Sequence, residues 1–312
     1  MPNLTLNEAK LQQWIGRERT QRDHIDTRQA EHLRVSIAPD RAPLGTGDVL
    51  PAGWHWIYFL EAPRIDALGA DGHAALGDFL PPVDLPTRMW AGTRLSFHAP
   101  LRLGTQLRRR SQIVSVERKQ GRSGPLCFVT VAHSIFDGDA LLLEEEHDIV
   151  YRSPVSQPAP LRTTGAPVRD VKAAVESAAA SAGDSARAGN ASDATTHFDR
   201  ELTIVPTSTL LFRYSALTFN GHRIHYDLDF CRKVEGYRGL VVHAPLTATL
   251  MLAMAEAHGA EQALSIRAFR FRALAPLFHG EPLRLGLHAD TGAVEAIAAD
   301  GRLAATAELE LS

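Results

Sequence analysis

Pro276-Leu277-Phe278-His279-Gly280-Glu281-Pro282-Leu283-Arg284 shares five positions with Pro100-Leu101-Arg102-Leu103-Gly104-Thr105-Gln106-Leu107-Arg108. Both segments read P-L-x-x-G-x-x-L-R. Both follow a strand-like run, 94–97 in one case and 266–273 in the other, and both precede another strand. Two similar strand–turn–strand corners would look alike without common descent, so the match is moderate evidence of duplication. A repeat decides the fold and is weighed first. It falls once in each half of a 312-residue chain, a length that suits two domains.

Upstream of the second corner, residues 245–258 are apolar almost all round: Leu246, Ala248, Leu250, Met251, Leu252, Ala253 and Met254. A helix of that kind is buried. Pro245 suits its first turn, where a missing N–H costs nothing, and Gly259 suits its stop. Strands follow at 266–274, 283–288, 294–298 and 304–311. In the first half Cys127, Val129, Val131, His133 and Ile135 alternate with Phe128, Thr130, Ala132, Ser134 and Phe136, as the two faces of a strand do. Residues 119–124, ahead of that run and behind 112–116, read as a hairpin loop, and 141–151 adds a further strand. A buried helix followed by antiparallel strands is a helix wrapped in a curved sheet. Two such units in tandem give an α+β architecture.

Residues 153–197 contain no Phe, Trp or Tyr and one leucine, Leu161. They cannot bury much apolar surface and read as a linker, with a weak Ala-rich helix near 171–182. The expected division is therefore 1–152, 153–197 and 198–312. The hydrophobic fraction of 45% feeds two modest cores, and a net charge of −3 gives no reason to expect nucleic acid or an anionic membrane as partner. Cys127 and Cys231 form no CxxC pair, which removes zinc-ribbon and thioredoxin-type readings and leaves free thiols in a reducing compartment. The N-terminal MPNLTLNEAKLQQW lacks a signal-peptide pattern. The longest apolar stretch, 246–255, is far short of the roughly 20 residues a bilayer span needs. A soluble cytoplasmic protein is expected, and Asn3 and Asn190 are chance glycosylation triplets.

The densest polar cluster is Arg213-Tyr214-Ser215-Ala216-Leu217-Thr218-Phe219-Asn220-Gly221-His222-Arg223-Ile224-His225-Tyr226-Asp227, followed by Gly239-Leu240-Val241-Val242-His243-Ala244-Pro245-Leu246. It resembles the motif of MaoC-like and R-specific enoyl-CoA hydratases: an acid, a histidine five positions on, and a later His-Gly. The string 215–227 is more similar still to the branch with 3-methylfumaryl-CoA (mesaconyl-CoA) hydratases and fungal-type fatty-acid dehydratases. Leu80-Pro81-Pro82, Arg88-Met89-Trp90-Ala91-Gly92 and 119–129 resemble that branch too, so the likeness covers most of the chain outside 153–197. It implies a double hot-dog fold, with a catalytic second half and a sequence-diverged first half.

The resemblance places Asn220 at the acid position, His225 as the base and His243-Ala244 at His-Gly. Hydrating an α,β-unsaturated thioester needs a water made nucleophilic at Cβ and a proton for Cα. A neutral imidazole supplies the first and, once charged, the second. Asparagine orients water but takes no proton, so either His225 acts alone or Asp227 supplies the missing charge. The Ala244 N–H, at a helix start, would hold the developing thioester oxyanion. His243 either supports the helix start or touches ligand. His222, His225 and Asp227 offer no third ligand at a metal spacing, so no metal is expected. The branch makes Arg213 or Arg223 a fork for a second carboxylate, against a structural salt bridge. Gly239 and Trp90 are counted with the substrate-binding residues, while Trp54 and Trp56 read as core or acyl-tunnel wall. Arg118, Lys119 and Arg122 read better as a solvated loop than as a CoA phosphate site. The expected function is reversible hydration of a 2-enoyl-CoA, short and dicarboxylic, such as 3-methylfumaryl-CoA (mesaconyl-CoA) or itaconyl-CoA. CoA is then part of the substrate and no separate cofactor is needed. The alternatives are a 3-hydroxyacyl-thioester dehydratase of fatty-acid metabolism and a non-catalytic acyl-thioester binder. A homodimer stays open.

Overall fold

In the computed structural model, which describes residues 9–121, 124–153 and 197–312, the strands preceding the two repeated corners lie side by side. β2 (Thr87–Phe97) pairs antiparallel with β7 (Ile266–Ala273), with Thr93 opposite Phe271 and Leu95 opposite Phe269. On one side of this seam follow β5 (Ala140–Arg152), β4 (Gly124–Asp137), β3 (Gln106–Gly121) and β1 (Glu18–His24). On the other follow β10 (Leu303–Leu311), β9 (Ala293–Ile297), β8 (Leu283–His288) and β6 (Arg200–Ile204). The ten-stranded order β1-β3-β4-β5-β2-β7-β10-β9-β8-β6 is the same five-strand order written twice, mirrored at the seam. Each nonapeptide sits between corresponding strands, β2 to β3 and β7 to β8. The corners match in detail as well: Leu50 N donates to Leu101 O, and Val242 N donates to Leu277 O.

The halves diverge immediately after those bonds. Past Val242 the chain enters α4 (Ala244–Glu261), the expected buried helix. Leu246, Met251 and Leu252 are fully enclosed, each contributing about 1.5–3 kcal/mol of burial. Thr249 satisfies its hydroxyl by donating to Pro245 O at 2.8 Å. The helix continues through Gly259 to Glu261, beyond the expected stop. Gly259 is required for another reason: a Cβ there would meet the Leu264 carbonyl at 2.8 Å. Past Leu50, by contrast, Pro51 and Gly53 lead only to a short 3-10 turn, Trp54–Ile57. The helix expected in the first half is therefore absent among the described residues. Proline, a left-handed Gly53 (φ 79°) and two tryptophans within three residues favour a turn over a continued helix.

Each half also has a helix after its first strand: α1 (Thr27–Ile37), capped by Asp26, and α2 (Ser208–Leu217), capped by Thr207. Between α2 and α4 lies a single short helix, α3 (Leu228–Lys233), capped by Asp227. The hairpin expected at 119–124 is tighter than a six-residue loop. β3 runs to Gly121 and β4 starts at Gly124 directly opposite, leaving Arg122 and Ser123, which lie outside the described residues. Of the linker expected at 153–197, residues 154–196, with the Ala-rich segment, also lie outside them. No helix among the described residues is long and apolar enough to cross a membrane. Cys127 and Cys231 are both buried, and neither is in a disulfide.

The inward sheet face of the first half carries two separate hydrophobic clusters. One joins the α4 core through Leu95, Leu107, Ile135 and Leu143. The other gathers Ile113, Val129, Cys127 and Tyr151 under Phe79 and Val83. Between them the same face turns polar. Ser111 opposes His133, and His133 opposes Glu145. Glu145 accepts from Trp56 Nε1 at 3.0 Å and Thr93 Oγ1 at 2.8 Å, with His55 Nε2 at 3.3 Å.

Candidate active site

The end of α2 sets the loop that carries Asn220 and His225. Phe219 takes a left-handed conformation (φ 49°), Phe219 N bonds Ala216 O, and Asn220 N bonds Ser215 O at 2.8 Å. This is the double bond pattern of a Schellman stop, here with Phe instead of Gly. It reverses the chain so that Asn220 Oδ1 accepts the His222 N–H at 3.0 Å. The 3-10 turn Arg223–His225 follows. Two reciprocal bonds fasten that turn to the segment leading into α4. Val241 N donates to Ile224 O at 2.9 Å, and His225 Nδ1 donates to Val241 O at 2.7 Å.

A carbonyl only accepts, so His225 carries its proton on Nδ1 and presents a lone pair at Nε2. Burial pushes the ring down to about 4, opposed by the Val241 bond, and so holds it neutral in the neutral pH range. His243 stacks on it, centroids 3.5 Å apart and planes within 17°. His243 Nε2 meets Ser215 Oγ at 2.8 Å, while its Nδ1 is buried without a partner. Burial holds His243 well below the usual imidazole range. His243 is the residue before α4, with no capping hydrogen bond from its side chain. The next N–H, that of Ala244, makes no hydrogen bond among the described residues, as expected at a helix start. The structure thus brings His225, His243 and the Ala244 N–H to one helix terminus, with Asn220 on the adjoining turn.

The remaining sequence candidates are distributed differently. Asp227 is not available to charge His225: one oxygen caps α3 at Phe230 N, and the other binds Arg223 Nη2 at 2.7 Å. Arg223 is engaged there through Nε as well and donates Nη1 to Ala70 O. Arg213 is exposed on α2. Gly239 packs near the Phe278 ring. Trp90 stacks on Phe271 across the seam, with centroids 5.1 Å apart, and meets Trp56 and His147 edge-on. Arg118 pairs with Asp84 and Lys119 with Glu117.

Sequence reasoning missed what the first half brings to this loop. Residues 69–75 lie against the Arg223–His225 turn, with Arg223 N donating to Asp71 O at 2.9 Å. His73 donates Nδ1–H to Asp71 Oδ2 at 2.8 Å, and its ring lies 4.1 Å from that of His222. His222 in turn lies edge-on to His225, 5.5 Å away. Asp71, His73 and His222 each offer a ligand atom within 4.8 Å of the others, the one such group among the described residues. The signal was Asp71-Gly72-His73 itself, whose partner lies some 150 residues later in the chain.

Comparison with known proteins gives the family. Residues 53–279 match the family described as hydroxyacyl-thioester dehydratase type 2.

The chain belongs to that family.

It is 40% identical over 309 residues to mesaconyl-C(4)-CoA hydratase of Chloroflexus aurantiacus, covering 98% of this chain and 99% of the relative. It is 26% identical over 288 residues to the mitochondrial hydroxyacyl-thioester dehydratase type 2 of Schizosaccharomyces pombe, covering 84% and 85%. A Mycobacterium tuberculosis protein described as a double hotdog superposes with TM-score 0.53 at 16% identity, covering 95% of each chain. The fold is the double hotdog, and this family member is a hydro-lyase that adds water reversibly to an enoyl thioester.

Proposed function

We propose that the substrate is a short 2-enoyl-CoA bearing a second, free carboxylate, of the mesaconyl-C4-CoA type, with His225 as base and the Ala244 N–H as oxyanion donor. The observation that carries the substrate is the 40% identity to mesaconyl-C(4)-CoA hydratase across both chains' full extent. A second observation favours it over a long aliphatic acyl group. The first-half sheet face between the two hydrophobic clusters is lined by Arg109, His133, Glu145 and His147. Burial depresses Arg109 and leaves its Nε unpartnered. An alkyl chain laid there would leave the Arg109 Nε–H without a partner, at about 1–3 kcal/mol.

In this reading water adds at Cβ, and one of its protons passes to His225 Nε2. The π electrons move toward the thioester oxygen at the start of α4. No metal or organic cofactor takes part, CoA being part of the substrate. The test is a substrate panel comparing mesaconyl-C4-CoA with crotonyl-CoA and longer monocarboxylic 2-enoyl-CoAs. The dicarboxylic ester should lead in kcat/KM by at least about tenfold. Preference for a longer monocarboxylic ester would assign the chain to fatty-acyl dehydration instead. Saturable binding without turnover would leave a thioester-binding protein.

A further inference from the structure

Asn220 stands at the position where a carboxylate would help hold the attacking water, and its side-chain oxygen is already committed to the His222 N–H. With Asp227 tied to Arg223 and the α3 start, neither Asn220 nor Asp227 offers a free carboxylate beside His225. The first half reaches this gap. Arg223 anchors the loop by its backbone N–H to Asp71 O and by Nη1 to Ala70 O. Gly72 and Gly221 lie backbone to backbone, too close for a side chain on Gly72. Asp71 fixes the His73 ring through Nδ1, which leaves Nε2 pointing away from the carboxylate. His73 packs on His222. His222 is 4% exposed, and its Nε2 meets no partner beside the catalytic imidazole. A buried ring nitrogen without a partner is costly unless a ligand or water completes it.

We propose that His222 Nε2 is the second hydrogen-bond partner of the attacking water, in place of the carboxylate that Asn220 lacks, and that Asp71 and His73 are the positioning residues that hold it there. The inference rests on the hydration reading above. The step balances without a co-reactant. The water oxygen bonds to Cβ, one proton goes to His225 Nε2, and the π pair shifts to the thioester oxygen. The pair then returns to Cα and takes the proton from the His225 imidazolium. His222 bonds the water throughout and ends the cycle unchanged. Burial, with repulsion from the neighbouring His225 whenever that ring is protonated, pushes His222 down to about 3, so it takes part as a neutral hydrogen-bonding ring. A cation on the same three residues is less well served. Asp71 already uses one oxygen for the His73 N–H and the other for its Nδ1–H.

The test uses the full chain and whichever enoyl-CoA the wild type turns over. His73→Gln and Asp71→Asn should each lower kcat by about ten- to a hundredfold, with KM within about twofold. Melting temperatures should stay near wild type. Introducing Asn220→Asp into the His73→Gln chain should restore at least about tenfold in kcat, because a carboxylate then stands at position 220. A merely structural role for His73 would give no such recovery. Folded variants with kcat within about twofold of wild type overturn the proposal. So does an uncompensated loss with Asn220→Asp present. Inactivation by EDTA that zinc reverses would overturn it in favour of a bound cation. An active wild type with any of these results sinks this inference alone, and an inactive wild type sinks the hydration reading with it.

Discussion

His225 donates Nδ1–H to the Val241 carbonyl at 2.7 Å, and the Val241 N–H donates back to Ile224 at 2.9 Å. The two bonds lock both the tautomer of the imidazole and its distance from the helix start, where Ala244 offers its N–H. In the proposed roles of base and oxyanion donor, the two groups share one rigid frame, which lowers the ordering required at the moment of reaction.

The buried histidines should make the fold sensitive to acid. His225 and His147 are depressed by burial to about 4, and His222 and His133 to about 3, from an ordinary 6.5. With folded values below unfolded ones, the unfolded chain binds more protons once pH drops below about 6.5. Their contribution is therefore full above that pH and is lost progressively as pH falls toward 4 and then 3. The urea midpoint should fall clearly between about pH 7 and pH 5. A midpoint unchanged over that interval would mean that these rings are not held neutral.

Gly72→Ala should damage catalysis more than stability. Gly72 has φ 88°, and a Cβ would run into the Gly221 carbonyl. The left-handed strain alone costs about 1–2 kcal/mol, less than the whole of a typical global stability. The clash, however, separates the first-half loop from the catalytic turn. We expect kcat to drop by at least about tenfold with melting reduced by only a few degrees. Wild-type kcat in a soluble Gly72→Ala protein would show that the contact is incidental.

Arg223→Met should lower turnover of dicarboxylic and monocarboxylic esters in the same proportion, because Arg223 already binds Asp227 and Ala70 and anchors loop 69–75. Arg213→Met, on an exposed guanidinium, should leave kcat/KM for crotonyl-CoA almost unchanged. A selective rise in KM for the dicarboxylic ester in either variant would identify the carboxylate fork. Parallel kinetics in both would place carboxylate recognition elsewhere, with Arg109 the next residue to test.

The seam makes the halves interdependent. β2 pairs with β7, and Trp90 of one half stacks on Phe271 of the other. Residues 1–155 and 195–312, co-expressed as separate chains, should copurify and turn over, whereas 195–312 alone should be inactive or insoluble. Full activity of 195–312 alone would refute a shared site.

The strands and α4 were legible because their periods are strong and their ends carry Pro, Gly and polar turns. The duplication was legible in two nonapeptides, and the paired strand orders extend it. The first-half helix was expected by symmetry alone. The local sequence Pro51-Ala52-Gly53-Trp54 argues against it, and local preference prevailed. Glu145 and His147 stand at inward parity with Leu143, Ile149 and Tyr151 along β5, a pattern readable in principle but hidden by the run Glu144-Glu145-Glu146. Asp71 and His73 could not be placed beside His222, because only tertiary folding brings a glycine-rich loop to a turn some 150 residues away.

If His225 is the base, removing its imidazole acts on the chemical step itself, and kcat for His225→Ala reads that loss. Measured by loss of the enoyl-thioester absorbance, kcat should fall by at least about a hundredfold in a folded protein, the lower end of what a positioned acid–base group supplies. No free CoA thiol should appear, since hydration leaves the thioester intact. A folded His225→Ala protein that keeps more than about a tenth of the wild-type rate, or a wild type that releases thiol in step with substrate loss, would contradict the account.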